Sequence, residues 1–296
     1  MSKYKRLAVA AVVSAVFVSP FARVAFSAQK EIKLVASFYP MYIMARNVAK
    51  DVPGVSVENL TPPFTGCLHD YALTTSDMKK LSGARALIVN GAEMESFLEN
   101  VTAQHPELDV VNLSEGIPLI KSGQEDNPHV WVSISAVIAQ VKNLGAAMRK
   151  IDPAHKGLYE KNTDNYVIKL EALREKMHAE LAAYRGRNII TFHEAFPYFA
   201  AEFGLNIAAV VEREPGSEPG AKELADTVDL IKRSQGNACV LFSEPQYPSS
   251  AAVTIAAETG VEVYVLDPAV SGPDEDDAYI KIMEKNLGVL KKAFGK

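Results

Sequence analysis

The chain has 296 residues, with 31 Lys+Arg against 36 Asp+Glu and a formal net charge of −5 at pH 7. The acidic balance argues against a nucleic-acid partner, which requires a basic face. The length suffices for one large or two small domains, and neither a low-complexity tract nor a short-period repeat is present.

Residues 1–28 read as a secretory signal. Lys3, Lys5 and Arg6 precede an apolar stretch from Leu7 to Val18, and small residues follow at Ala25, Ser27 and Ala28. The apolar run is too short to span a bilayer and is interrupted by Pro20 and Arg23. Cleavage is expected after Ser27 or Ala28, with no cysteine there to take a lipid, which leaves a soluble protein in the periplasm. Without residues 1–28 the basic groups number 27 against 36 acidic ones, a balance of −9. That balance favours cations but defines no site.

Beyond the signal, apolar β-rich runs alternate with amphipathic stretches. Strands are expected at Ile32–Ser37, Val55–Leu60, Ala84–Val89 and Val110–Asn112. The intervening helices are expected at Met41–Lys50, at Ser76–Leu81 with Ser76 as N-cap, and at Glu93–Val101. The middle differs. Ser133–Arg149 reads as one helix, Ile151-Asp152-Pro153 breaks it with Asp152 capping and Pro153 at the first helical position, and a second helix runs to about Tyr184. Its apolar residues Leu170, Leu173, Met177 and Leu181 recur at three- and four-residue spacing, and Gly186 ends it. Strands return at Asn188–Phe192, Ala208–Val211, Cys239–Phe242 and Val261–Leu266, separated by helices at Ala195–Phe203, Ala221–Ser234 and Ser249–Thr259. Such alternation predicts an α/β fold with largely parallel sheets. The long middle helices fit either a connector between two domains or the flank of one.

Six histidines are present. His105, His155 and His178 sit in polar or helical surroundings and read as solvated side chains. His69 lies in a loop after a strand, His129 at a helix entry in Asn127-Pro128-His129-Val130-Trp131, and His193 directly after a buried strand. Glu244 and Asp267 also follow strands. In open parallel sheets the ligand crevice lies beyond the carboxyl ends of the strands, so all five are candidates by position. Histidines with carboxylates suit zinc and neighbouring metals. The spacings of 60, 64 and 74 residues between His69, His129, His193 and Asp267 define no local motif. A metal site and scattered hydrogen-bonding histidines therefore both fit. Of the two cysteines, Cys239 reads as a core residue and Cys67 lies in a glycine-containing loop. Both are expected to be reduced. No dinucleotide, hydrolase-elbow or P-loop motif is present. Glu212–Gly220 reads as a polar loop, and Asp274-Glu275-Asp276-Asp277 as a solvated helix start.

The ordered motifs resemble the zinc/manganese-type substrate-binding proteins of ABC transporters over essentially the whole chain after the signal. Ser37-Phe38-Tyr39-Pro40 resembles the family's opening strand and helix. His69-Asp70-Tyr71 with Thr75-Ser76-Asp77 resembles the first ligand loop, and Val89-Asn90-Gly91-Ala92-Glu93 the asparagine-glycine turn. Asn127-Pro128-His129-Val130-Trp131 and His193-Glu194-Ala195-Phe196-Pro197-Tyr198-Phe199 resemble the second and third ligand motifs. Ser243-Glu244-Pro245-Gln246 and Leu266-Asp267-Pro268 resemble the last cleft segments. The resemblance implies an N-terminal α/β lobe at 29–149, a rigid connecting helix at 150–184 and a C-terminal α/β lobe at 185–296, with the metal in the cleft. It implies His69, His129, His193 and Asp267 as ligands, with Glu244 orienting them and Cys67 a possible contributor. It also implies one Zn2+ per chain, delivered by a monomeric protein to an ABC permease without catalysis. Manganese is the alternative metal, although manganese members generally carry a carboxylate where this chain has His193. A zinc-dependent hydrolase with Glu194 or Glu244 as base is the alternative of another class. Two departures stand out: Gly66-Cys67-Leu68 replaces a more polar approach to His69, and Ser114–Asn127 lacks the histidine-rich loop of many zinc members.

Overall fold

A computed structural model describes residues 31–295 apart from 63–64, 66, 69–70, 212–218, 235–238 and 247–249. The expected signal, His69 and most of the polar loop after Val211 lie outside the described residues. Residues 31–296 gather into one unit.

The first sheet arises where short apolar runs need cover on both faces. Its strands are β1 (Ile32–Ala36), β2 (Val55–Asn59), β3 (Ala86–Val89) and β4 (Asp109–Asn112), all parallel in the order β2-β1-β3-β4. Every residue of β3 is buried, as expected of a central parallel strand. Helices α1 (Tyr39–Val48), α2 (Thr75–Leu81) and α3 (Leu98–Gln104) connect the strands. Two starts differ from the sequence expectation. Thr74, not Ser76, caps α2: its hydroxyl accepts from Asp77 N at 3.3 Å and the Asp77 carboxylate accepts from Thr74 N at 2.9 Å, a reciprocal capping box. α3 begins at Leu98 rather than Glu93, because Ala92 and Glu93 adopt φ of 50° and 64°. A right-handed helix cannot pass through left-handed residues.

A two-strand antiparallel pair that the sequence reading did not anticipate, β5 (Lys121–Ser122) with β6 (Glu125–Asp126), leads to a short 3-10 turn at Val130–Val132. Then come the long helices α4 (Ile134–Ile151) and α5 (Lys156–Leu181). The break falls at Asp152-Pro153 as expected, but Asp152 makes no cap bond with its side chain. Its carboxylate instead lies 2.7 Å from His155 Nδ1 and accepts from Tyr159 Oη at 3.0 Å. His155 is thus half-buried and held, rather than simply solvated. α4 and α5 approach closely at Gly145, where an added Cβ would lie 2.2 Å from Thr163 Oγ1. Thr163 cannot easily yield, since its hydroxyl donates to Tyr159 O at 2.7 Å. Gly145→Ala is therefore expected to destabilise by about 1 kcal/mol, overpacking of about 1–3 kcal/mol exceeding the helix-propensity gain of about 1 kcal/mol. Urea unfolding measures this, and a stabilised variant would show that the contact yields.

The second sheet repeats the first. Strands β7 (Asn188–Thr191), β8 (Asn206–Val210), β9 (Val240–Ser243) and β10 (Val263–Val265) alternate with α6 (Pro197–Phe203), α7 (Ala221–Arg233) and α8 (Ser250–Thr259). They are parallel in the order β10-β9-β7-β8. Read from the other edge, this is second, first, third, fourth, the order of the first sheet. Each sheet therefore has a switch point between its first and third strands, where the connections diverge and a crevice opens.

A final helix, α9 (Ala278–Phe294), begins directly after the acidic run read as a helix start, with Asp277 at its N-cap position. The acidic run before it is not simply solvated. Arg46 of α1 and Lys50, just beyond its end, hold Asp276 at 3.0 and 2.7 Å, and Tyr39 Oη donates to Pro273 O at 2.9 Å. Lys169 and Lys176 of α5 pair with Asp277 and Glu284, each at 2.8 Å. The end of the chain is thus tied to α1 and α5 as well as to the second sheet. Among the described residues no helix is long and apolar enough to cross a membrane.

Candidate metal centre

His193 and Glu244 meet because their strands are neighbours. β7 pairs with β9 in the register Thr191–Phe242, so two residues further on His193 stands beside Glu244 at the switch point. Both are buried, 3% and 4% exposed. Glu244 Oε2 lies 3.5 Å from His193 Nδ1 in hydrogen-bonding alignment. Oε1 is nearer, at 3.3 Å, but off the N–H direction, and is buried with no hydrogen-bond partner among the described residues. A carboxylate acceptor beside Nδ1 places the ring proton there and leaves Nε2 as a donor for a metal.

His129 reaches the same place from the other half. Pro128 O accepts from Asn90 Nδ2 at 2.9 Å, which ties the segment to the end of β3. Asn127 Oδ1 accepts from the His129 backbone N–H at 3.0 Å and lies 3.1 Å from its Nδ1. The backbone donor identifies that Asn127 atom as oxygen, so Nδ1 carries the ring proton and the Nε2 lone pair points away from Asn127. Asn127 Nδ2 also donates to Glu194 O at 2.9 Å, linking the two histidine segments directly. Tyr198 Oη, from α6, donates to Asn127 O at 2.7 Å.

The rings of His129 and His193 meet edge to face, with centroids 4.7 Å apart. Cys67 completes the cluster, its Sγ 3.5 Å from His129 Nε2. One donor atom from each of Cys67, His129 and His193 lies within 4.8 Å of the others. Tetrahedral zinc donors stand about 3.3–3.8 Å apart, given bonds of about 2.0–2.3 Å, so the cluster needs to contract by only about an ångström. The donor chemistry fits a transition metal, and the partnerless Glu244 oxygen beside it marks a site where positive charge is wanted. A cavity of about 200 Å3 opens onto the two histidines, lined also by Glu93, Glu125, Asp126 and Glu194.

Asp267 does not join the three converging donors. Its Oδ1 accepts from Ala269 N at 2.8 Å, and Asn286 brackets its backbone, accepting from N at 3.0 Å and donating to O at 2.7 Å. Burial pushes its pKa up and the charge of Glu244 adds to that, while the Ala269 N–H and Lys285 oppose it. A carboxylate made easier to protonate by burial and a neighbouring negative charge is one that a bound cation would relieve. Asn127 and Asn90 are contributors whose roles the sequence reading did not assign. The signal was Asn127 itself, an Asx residue two before the histidine and able to bond its backbone locally.

Two parallel sheets of matching order, with buried histidines converging from loops at their carboxyl ends, define a metal-binding α/β protein of the substrate-binding class. The chain belongs to the ZnuA family, zinc-uptake complex component A periplasmic, whose model matches residues 34–293. It is 30% identical over 282 residues to the high-affinity zinc uptake system protein ZnuA of Bacillus subtilis, covering 88% of this chain and 87% of that one. It is 29% identical to the zinc-binding lipoprotein AdcA of Streptococcus pneumoniae, of which it spans only 58% of the length. Among solved structures, the SBP FpvC of Pseudomonas aeruginosa in complex with Mn2+ superposes with a TM-score of 0.81 at 30% identity, covering 90% of this chain and 99% of that one. Zn(II)-bound AdcA of S. pneumoniae gives 0.78 at 27% identity, covering 90% of this chain and 58% of that one.

Proposed function

We propose that the protein captures a single zinc ion in the periplasm and delivers it to the membrane permease of an ABC importer, with no catalysis of its own. The observation that carries this reading is the convergence of His129 and His193, each buried and each with Nδ1 turned to an acceptor. Zinc is the cargo. His129 and His193 bind it, with His69 and Asp267 as the further ligands. Residues 29–149 and 185–296 form two lobes, one around each sheet, and 150–184 form the rigid link. A cleaved signal at residues 1–28 exports the chain, which works as a monomer without a lipid anchor.

A hydrolase would need its carboxylate base directed at a metal-bound water in an open position. Glu244 instead faces the Nδ1 of His193, the orienting position of a ligand. Imidazole donors favour zinc over manganese, which prefers oxygen. The test is equilibrium dialysis of the untagged, metal-stripped chain against equimolar zinc and manganese. One zinc per chain with little manganese is expected. Preferential manganese uptake would assign the protein to manganese transport.

A further inference from the structure

We propose that the Cys67 thiol is itself a ligand of the bound ion, taking the fourth place otherwise given to Asp267 and making the site a mixed sulfur–nitrogen shell. This rests on reading His129 and His193 as ligands and adds to it the residue that sets metal preference. Cys67 Sγ lies 3.5 Å from His129 Nε2, the ring nitrogen that Asn127 leaves available. It belongs to the only group of three potential donors that converges among the described residues. Its backbone is anchored next door: Leu68 is fully buried, and the Leu68 N–H donates to Met94 Sδ at 3.4 Å. The other cysteine is committed elsewhere, Cys239 Sγ donating to Ser234 Oγ at 3.4 Å beside the second sheet.

On binding, the S–H bond breaks, the S–metal bond forms and the proton passes to solvent. Nothing is oxidised or reduced. A thiolate is a soft donor, so its presence favours zinc and disfavours manganese beyond what imidazole does alone.

Cobalt(II) tests this in the full chain, because a thiolate bound to cobalt gives a near-ultraviolet charge-transfer band that imidazole and carboxylate ligands do not. The band is expected to grow until one cobalt is bound per chain. Cys67→Ala should lose it while keeping the visible ligand-field bands of bound cobalt. In direct competition, Cys67→Ala should lower zinc affinity about 100-fold, the upper end of what groups that merely orient ligands contribute, and leave manganese affinity nearly unchanged. Stoichiometric cobalt binding without the band would overturn the proposal and leave the histidine reading intact. An equal loss of affinity for both metals in Cys67→Ala would assign Cys67 a purely structural role and overturn it too. Failure of the wild-type chain to bind cobalt or zinc at all would instead overturn the metal-binding reading on which the proposal rests.

Discussion

His129→Ala is expected to lower zinc affinity by about 100- to 1,000-fold. Zinc held by a protein shell is worth about 10–16 kcal/mol, or about 3 kcal/mol for each of four ligands, and about 1.4 kcal/mol is a factor of ten. The loss is not confined to one bond. His129 Nε2 faces the Cys67 sulfur and its ring meets that of His193, so removing it opens the centre of the cluster. The fold should survive, because the main anchors of this segment are Asn90 on Pro128 O and Tyr198 on Asn127 O. Calorimetric titration with zinc, alongside a circular dichroism melt, separates the two effects. Unchanged affinity in a folded variant would remove His129 from the shell. Asn127→Ala should do less, about 10- to 100-fold, since Asn127 orients the imidazole without touching the metal.

Trp131→Ala is expected to be the most destabilising single change near the site, at about 3–5 kcal/mol. Trp131 is fully buried, stacks edge-on against Phe38 at 5.0 Å and donates from Nε1 to Pro268 O at 2.8 Å. Its own carbonyl accepts from Tyr279 Oη at 2.9 Å. It therefore joins the start of α1 to the loop after β10 through its side chain, and α9 through its backbone carbonyl. Trp131→Phe keeps much of the apolar volume but leaves Pro268 O without its donor, which should cost about 1–3 kcal/mol. Pro268 follows Asp267, so the Phe variant should also loosen the Asp267 loop and weaken zinc binding. Urea denaturation of both variants checks the order. A loss below about 1 kcal/mol for Trp131→Ala, in the range of an ordinary surface change, would mean that the two halves are held together elsewhere.

Much of the architecture was legible because buried parallel strands write themselves as short apolar runs. Ile32–Ala36, Asn188–Thr191 and Val240–Ser243 were all anticipated within a residue or two. The positions of His193 and Glu244 followed, since a polar residue just past such a run must lie at the sheet's carboxyl edge. Less was legible where geometry depends on partners distant in sequence. The approach of Cys67 to His129 spans 62 residues, and nothing local announces it. The late start of α3 depends on left-handed φ at Ala92 and Glu93, which residue types other than glycine rarely signal. The acidic run before α9 looked solvated because its partners, Arg46 on the first helix and Lys50 just after it, lie more than 220 residues away in sequence. The cap of α2 was readable in principle: Asp77 stands three residues after Thr74 and only one after Ser76, and a capping box needs the first spacing.

The most direct test of the metal centre is anomalous scattering from crystals of the zinc-loaded protein, with data on both sides of the zinc absorption edge. One peak per chain is expected, within bonding distance of the Nε2 atoms of His129 and His193. A zinc ion bound at full occupancy but remote from both histidines would contradict the assignment.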